Sequence, residues 1–140
     1  MLLHIVARGK IGRSAEGELV DRYLKRITWP TRLTELAENS GKMPTREPGT
    51  VLVLLDEKGE QLGSAAFAER LGGWRHEGRR EARFLIGGAD GFVESERREA
   101  DLLIAFGRAT WPHLMARAML AEQLYRATTI LAGHPYHREG

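Results

Sequence analysis

The chain contains no cysteine among its 140 residues, which excludes disulfide bonds, thiolate metal sites and a cysteine nucleophile. It also lacks any apolar run approaching the roughly 18 residues that read as a membrane-spanning helix. Its first residues do not have the layout of a secretion signal. We therefore expect a cytoplasmic protein that does not cross a membrane.

Two common nucleotide-binding motifs are missing as well. The dinucleotide fingerprint G-x-G-x-x-G requires a spacing that Gly87, Gly88 and Gly91 do not have. A phosphate-binding loop fails around Lys42, because Met43 replaces the serine or threonine that should follow the lysine. Any nucleotide-like ligand must therefore be held by a different arrangement.

The length and charge of the chain indicate one domain with a small basic excess. A chain of 140 residues can bury one core and is too short for two. The formal net charge is only +2, yet basic residues cluster between positions 75 and 83. Such a cluster is either a solvated face or a surface for a polyanion such as RNA. Its members are Arg75, His76, Arg79, Arg80 and Arg83.

Short apolar runs alternate with amphipathic stretches along the chain. The runs at 2–7, 51–56, 84–86 and 102–106 predict buried strands, with a less regular strand at 31–36. Helical spacing predicts helices capped by Ser14 and Ser64, a short helix around 95–100, and a long helix from Pro112 to Ala132. Gly72 and the glycine after it should weaken the end of the second helix. This alternation predicts an α/β fold with a mostly parallel sheet flanked by helices.

The strand at 84–86 runs directly into a glycine-rich turn at 87–91. Glycine lets a ligand approach the main chain, and open α/β sheets bind ligands just outside the carboxyl ends of their strands. A tight turn without a ligand is the alternative interpretation. The predicted strand at 51–56 ends with Asp56. The carboxyl end of this strand is a second candidate position for a ligand.

Four segments together resemble a known family. They are Leu54-Leu55-Asp56, the glycine turn with its preceding strand, Thr110-Trp111-Pro112-His113, and the ending His134-Pro135-Tyr136-His137-Arg138-Glu139. In this combination the chain resembles the ribosomal RNA large subunit methyltransferase H family of the SPOUT class over nearly its whole length. The terminal signature is the most specific part.

The resemblance implies a C-terminal trefoil knot, a homodimer and S-adenosylmethionine as the cofactor, with no metal ion. Knots are nearly absent among folds, so helix and strand patterns do not indicate one. The implied reaction is methylation of N3 of a pseudouridine in large-subunit rRNA on the assembled ribosome. The implied cofactor-binding residues are Leu55, Gly88, Gly107, Arg108, Ala109, Thr110, Trp111 and Pro112.

The C-terminal tail carries the candidate catalytic residues. N3 must lose its proton, so a nearby cation or base is needed, and His137 and Arg138 are candidates. Tyr136 is a candidate for stacking on the base or hydrogen-bonding to it. We also predict that these three residues of one subunit complete the cofactor pocket of the other.

Alternatives remain open for the site and for the function. His113 is either a helix cap or a cofactor contact. A metal site formed by His134, His137 and Glu139 is a further possibility. The alternative function is a non-catalytic RNA-binding or ribosome-assembly module, which would have no reason to bind the cofactor.

Overall fold

The structure is a computed structural model that describes residues 1–38 and 41–137. Strands and helices alternate along these residues, as the sequence predicted. In chain order the elements are β1 (Leu2–Arg8), α1 (Ala15–Arg26), β2 (Thr31–Leu36), β3 (Thr50–Glu60), α2 (Ser64–His76), β4 (Glu81–Ile86), α3 (Glu94–Glu99), β5 (Leu102–Ile104) and α4 (His113–Ala132). A 3-10 turn, Pro135–His137, follows.

The five strands form one sheet in the order β2-β1-β4-β3-β5. Every neighbouring pair is parallel; Leu3, for example, is opposite Thr31 on one side and Ala82 on the other. The predicted α/β class with a parallel sheet is confirmed. Because all strands point the same way, their carboxyl ends meet at one edge, where ligands bind in open sheets of this type.

One face of the sheet is covered by a layer of three helices. The last helix, α4, lies between α1 and α2 and packs against both. Phe84 of β4 is fully buried there and meets Phe67 of α2 edge-on, with ring centroids 5.9 Å apart. Leu120 and Leu124 of α4 belong to the same cluster. Burying each such side chain contributes about 1.5–3 kcal/mol.

The opposite face has no long helix over it within the described chain. Val6, Leu54 and Leu85 are instead covered by the segment at 41–49 and by the residues around α3, including Met43 and Phe92. The predicted flanking by helices therefore applies mainly to one face. The trefoil knot stays a prediction.

Some predicted helix ends are confirmed and others are wrong. Ser14 caps α1, because its hydroxyl accepts a hydrogen bond from the Gly17 N–H at 3.0 Å. Ser64 does not cap α2: Gly63 occupies the cap position, and the Ser64 hydroxyl donates to Gln123 of α4 at 2.7 Å. The sequence around Ser64 predicted a helix cap, but the hydroxyl makes a hydrogen bond to a different helix instead.

The glycine pair in α2 does not end that helix, which continues to His76. A Cβ at Gly72 would lie 2.8 Å from a methyl carbon of Leu131, so the glycine allows α2 and α4 to pack closely. At the start of α4, Pro112 is the cap rather than the first helical residue, and α4 begins at His113.

Arg83 does not belong to the basic surface cluster. Its side chain is buried on β4, where Nε donates to Glu81 at 2.7 Å. The guanidinium also donates to the carbonyl oxygens of Pro44 at 2.8 Å and Thr45 at 3.1 Å. Arg83 therefore holds the segment at 41–49 against the sheet and is not available to a polyanion.

Gly59 provides a test of the packing between β3 and the end of β5. A Cβ at Gly59 would lie 2.5–2.6 Å from backbone atoms of Ile104, which cannot rotate away. We expect Gly59→Ala to lower the free energy of unfolding by about 1–3 kcal/mol, as overpacking does. Gly73→Ala is the control, since nothing lies within 4 Å of its added Cβ and alanine favours the helix. Urea denaturation at one protein concentration measures both; equal stabilities would contradict the expectation.

Candidate active site

A cleft of about 250 Å³ opens at the carboxyl edge of the sheet. It lies beside residues 55–57 of β3 and the carboxyl ends of β4 and β5, which is the edge that the glycine turn predicted. The segments 55–57, 86–92, 104–107 and 109–111 line it, together with Arg97, His113 and Ala116. Four separate parts of the chain therefore meet in one cavity.

Six of the eight predicted cofactor-binding residues line this cleft. Arg108 and Pro112 belong to the same loop but do not face the cavity. The resemblance therefore named a loop that borders the cleft, without resolving which of its residues point inward. Contact with a cofactor stays a prediction for all eight. The six lining residues are Leu55, Gly88, Gly107, Ala109, Thr110 and Trp111.

The glycine turn leaves little space for side chains. Gly91 has a φ of 69°, a left-handed conformation that favours glycine. A Cβ at Gly87 would lie 3.2 Å from the Gly91 backbone, and one at Gly88 would lie 2.7 Å from a carboxylate oxygen of Glu38. The main chain of this turn is therefore directly accessible from the cleft.

The loop at 107–112 is held across the strand ends by two side-chain hydrogen bonds. The indole Nε1–H of Trp111 donates to the Phe106 carbonyl at 2.8 Å. The Thr110 hydroxyl donates to Glu57 at 3.1 Å. Since its only polar group is engaged, Trp111 offers the cleft an apolar ring face.

Asp56 is a fixed anion beneath the cleft. It accepts from the Lys58 backbone N–H at 2.9 Å and from Arg97 Nε at 2.8 Å. The hydrogen bond to Asp56 raises the pKa of Arg97. This ion pair ties α3 to the middle of β3. The sequence marked Asp56 as a ligand edge but missed Arg97, because nothing in the polar run of α3 distinguishes that arginine.

His113 is a cleft residue at the first position of α4. Its Nδ1 is buried and has no hydrogen-bond partner among the described residues. The ring lies against the backbone of Gly9, with Cε1 3.9 Å from where a Cβ of residue 9 would lie. Because Pro112 holds the cap position, the interpretation of His113 as the cap is wrong.

A buried arginine beside the cleft was missed by the sequence analysis. Arg117 of α4 is fully buried, forms an ion pair with Glu35 of β2 and donates to the Gly9 carbonyl at 3.2 Å. Burial raises the pKa of Glu35, but hydrogen bonds from the Ile11 N–H and from Arg117 outweigh it and leave that pKa lowered. The available signal was one arginine on an otherwise apolar helix face.

The described part of the C-terminal tail, which ends with the turn Pro135–His137, lies away from the cleft of its own chain. Tyr136 packs on Tyr125 of α4, with ring centroids 4.6 Å apart, and its hydroxyl donates to Glu122 at 2.8 Å. Neither Tyr136 nor His137 lines the cavity. Arg138 lies outside the described residues. Their predicted catalytic roles stay predictions.

The structure also bears on the alternative of a metal site and on the expectation that the chain does not cross a membrane. Within residues 1–38 and 41–137, no three histidine, aspartate or glutamate side chains come together in a way that could hold a metal ion. Glu139 of the proposed metal set falls outside those residues. None of the described helices is both long and apolar enough to span a membrane.

The remaining basic cluster lies at the opposite edge of the sheet from the cleft. Arg79 and Arg80 immediately precede β4, whose six residues span about 20 Å. The Arg75 guanidinium stacks on Trp29 at 4.3 Å, and Arg79 pairs with Glu77 at 3.4 Å. A role for these arginines in binding RNA at the cleft is not favoured by this placement.

Comparisons with known proteins define the class that this fold and cleft represent. The family model described as a predicted SPOUT methyltransferase matches residues 1–137. A probable methylase family protein from Haemophilus influenzae Rd KW20 has the same fold, with a TM-score of 0.63 at 11% identity. That alignment covers 98% of this chain and 70% of the other.

Relatives with high sequence identity identify the family within this class of methyltransferases. The chain is 77% identical over 140 residues to Ribosomal RNA large subunit methyltransferase H of Rhizorhabdus wittichii, with both chains covered completely. It is 64% identical over 140 residues to the protein of that name in Sphingopyxis alaskensis, covering 100% of this chain and 99% of the other. The chain therefore belongs to the ribosomal RNA large subunit methyltransferase H family of SPOUT methyltransferases, and the resemblance predicted from its motifs is confirmed.

Proposed function

We propose that this methyltransferase transfers a methyl group from S-adenosylmethionine to N3 of a pseudouridine in large-subunit rRNA. It acts as a cytoplasmic homodimer on the assembled ribosome. The observation that carries the proposal is the meeting of Leu55, the glycine turn and the loop at 107–112 in one cleft. These are the segments from which the family resemblance was drawn.

The cleft residues fit S-adenosylmethionine. Leu55, Ile86 and Trp111 offer apolar surface for the two faces of an adenine ring. Gly88 carries no side chain of its own, so its backbone groups can hydrogen-bond the ring edge and the ribose. Asp90 supplies a carboxylate at the rim, which complements the positive charge of the cofactor.

When bound, S-adenosylmethionine supplies an electrophilic methyl group. The contribution of this chain is to hold the reacting atoms in line and to exclude water. Positioning of this kind can supply about 7–11 kcal/mol of the barrier reduction at best. The loop at 107–112 forms the wall of the cleft that holds the reacting atoms in line and excludes water. The hydrogen bonds of Trp111 and Thr110 hold this loop in place.

The proton on N3 must be lost during the transfer, and a nearby base or cation assists that loss. His137 and Arg138 are the proposed helpers, supplied by the tail of the partner subunit. Tyr136 of the same chain is packed on α4, and neither Tyr136 nor His137 lines the cleft of its own chain. Met115 and Leu131 of α4, each 42% exposed, provide apolar surface for the interface that brings two chains together.

The RNA backbone is expected to approach the carboxyl edge. Lys10 and Arg13, which follow β1 at that edge, and Arg108 of the cleft loop are exposed. Exposed cations can release condensed counterions when they meet phosphates. Together these three residues place positive charge beside the cleft. Arg75 and Arg79 cannot do this, because they lie at the other end of the sheet.

Calorimetry and a methylation assay test the function directly. We expect the purified protein to bind S-adenosylmethionine, and to transfer a labelled methyl group to large-subunit rRNA in ribosomes that lack the modification. Mass mapping of the RNA should place the methyl group on N3 of a pseudouridine. A protein that binds ribosomes but takes up no cofactor would be the non-catalytic RNA-binding module instead.

A further inference from the structure

We infer that Tyr136 is a positioning residue that clamps the C-terminal tail onto α1 and α4, rather than a residue that contacts the RNA base. The inference rests on the proposed function, in which the tail of one subunit completes the cleft of the other. It is carried by a cluster of five side chains that we call the tail anchor. The tail anchor consists of Tyr23, Glu122, Tyr125, Arg126 and Tyr136.

Both ends of the Tyr136 side chain are engaged within the tail anchor. The hydroxyl donates to Glu122 Oε2 at 2.8 Å. The ring packs on Tyr125 at 4.6 Å between centroids, and the Arg126 guanidinium carbon lies 5.1 Å from the ring centre. Tyr125 in turn contacts Tyr23 of α1 at 6.1 Å. The aromatic stack therefore joins the tail to two helices.

The acceptor for the Tyr136 hydroxyl is itself fixed. Arg126, four residues further along α4, donates to Glu122 Oε2 at 2.6 Å and 3.1 Å through two of its nitrogens. Gln123 donates to the other oxygen at 2.9 Å. Burial, followed by the hydrogen bond to Glu122, raises the pKa of Tyr136. The phenol therefore stays protonated and serves as a donor to a held carboxylate.

The tail anchor lies on a different side of α4 from the cleft. Glu122 follows the cleft residue His113 by nine positions, which corresponds to about 180° around a helix and ~13 Å along its axis. A Tyr136 side chain held there cannot also stack on a base in its own cleft. What it does fix is the path of the backbone that leads directly into His137.

Two conservative variants separate positioning from base contact. Tyr136→Phe removes only the hydroxyl, and Glu122→Gln removes only the acceptor charge. Glu69→Gln is the matched control, because it makes the same charge change on an exposed part of α2. Chymotrypsin cleavage after residue 136 reports release of the ring, since both tyrosine and phenylalanine are cleaved once they leave the anchor.

We expect chymotrypsin to cleave both anchor variants after residue 136 roughly tenfold faster than wild type, because each variant weakens or removes the hydrogen bond to a charged acceptor. The Glu69→Gln control should match wild type. In methylation assays, both anchor variants should lower kcat by a similar factor, because both release the same segment of the tail. The double variant should be no worse than Glu122→Gln alone, because the Tyr136 hydroxyl acts through the Glu122 carboxylate.

A base-contacting role predicts a different pattern. In that case Tyr136→Phe would lose methylation without faster cleavage, and Glu122→Gln would keep full activity. That pattern would overturn the inference. Unchanged cleavage rates in both anchor variants would overturn it as well. Cleavage rates need no methylation. Failure of the wild-type protein to methylate rRNA would therefore reject the proposed function without deciding the position of Tyr136.

Discussion

Replacement of Gly88 by valine is expected to weaken S-adenosylmethionine binding by at least about 30-fold, which corresponds to the ~2 kcal/mol typical of overpacking. The added side chain would crowd the turn that we assign to the ligand. Gly88 does not adopt a left-handed φ, so valine is compatible with the backbone there. Calorimetric titration measures the loss, and circular dichroism checks that the variant remains folded.

Glu38 supplies the control for this experiment. The new Cβ would lie 2.7 Å from the Glu38 carboxylate, so the variant could act by displacing that side chain instead of the ligand. Glu38→Ala alone should bind the cofactor, and Glu38→Ala combined with Gly88→Val should remain defective. Normal affinity in a folded Gly88→Val protein would remove the glycine turn from the cofactor site.

Activity should be restored when two inactive chains are paired. One chain lacks all residues from Tyr136 onward, and the other carries Gly88→Val; each is expected to be inactive alone. In a two-fold dimer whose tail serves the neighbouring cleft, the mixed dimer keeps one intact cleft facing one intact tail. Refolding equal amounts together should give about one quarter of wild-type activity if pairing is random and the sites are independent.

The reciprocal pairing makes the result unambiguous. A chain with both lesions, refolded with wild type, should give mixed dimers that have no working site, because each intact half faces a defective one. If tail and cleft belong to the same chain, the first mixture stays inactive while the second keeps activity in every mixed dimer. Mixed dimers are verified by tagging one chain and recovering the other with it.

The sequence was most informative where structure depends on neighbouring residues. The strand at 84–86 and its glycine turn are local signals, since an apolar run and a glycine spacing need no distant partner to be interpreted. Leu55 and Trp111 were placed at the cleft by family resemblance. Periodicity alone would have given separate strand ends, with no indication that they share a cavity.

Features made by distant parts of the chain could not be predicted. Arg117 and Glu35 are 82 positions apart, and neither residue carries a local sign that it pairs with the other. The assignment of Ser64 as a cap failed for the same reason, because Gln123, 59 positions away, takes its hydroxyl. The tail anchor was missed because a folded-back tail looks the same in sequence as a free one.

The position of α4 has a consequence for how the protein is made. Arg117 reaches back 108 positions to the Gly9 carbonyl, and α4 fills the layer between α1 and α2. Contacts of such separation form slowly, because a long loop must close first. While the chain is being synthesised, the sheet face that α4 will cover is exposed until α4 itself emerges, and exposed faces of this kind promote aggregation. The cleft, to which His113 and Ala116 of α4 contribute, therefore matures only after α4 has been translated.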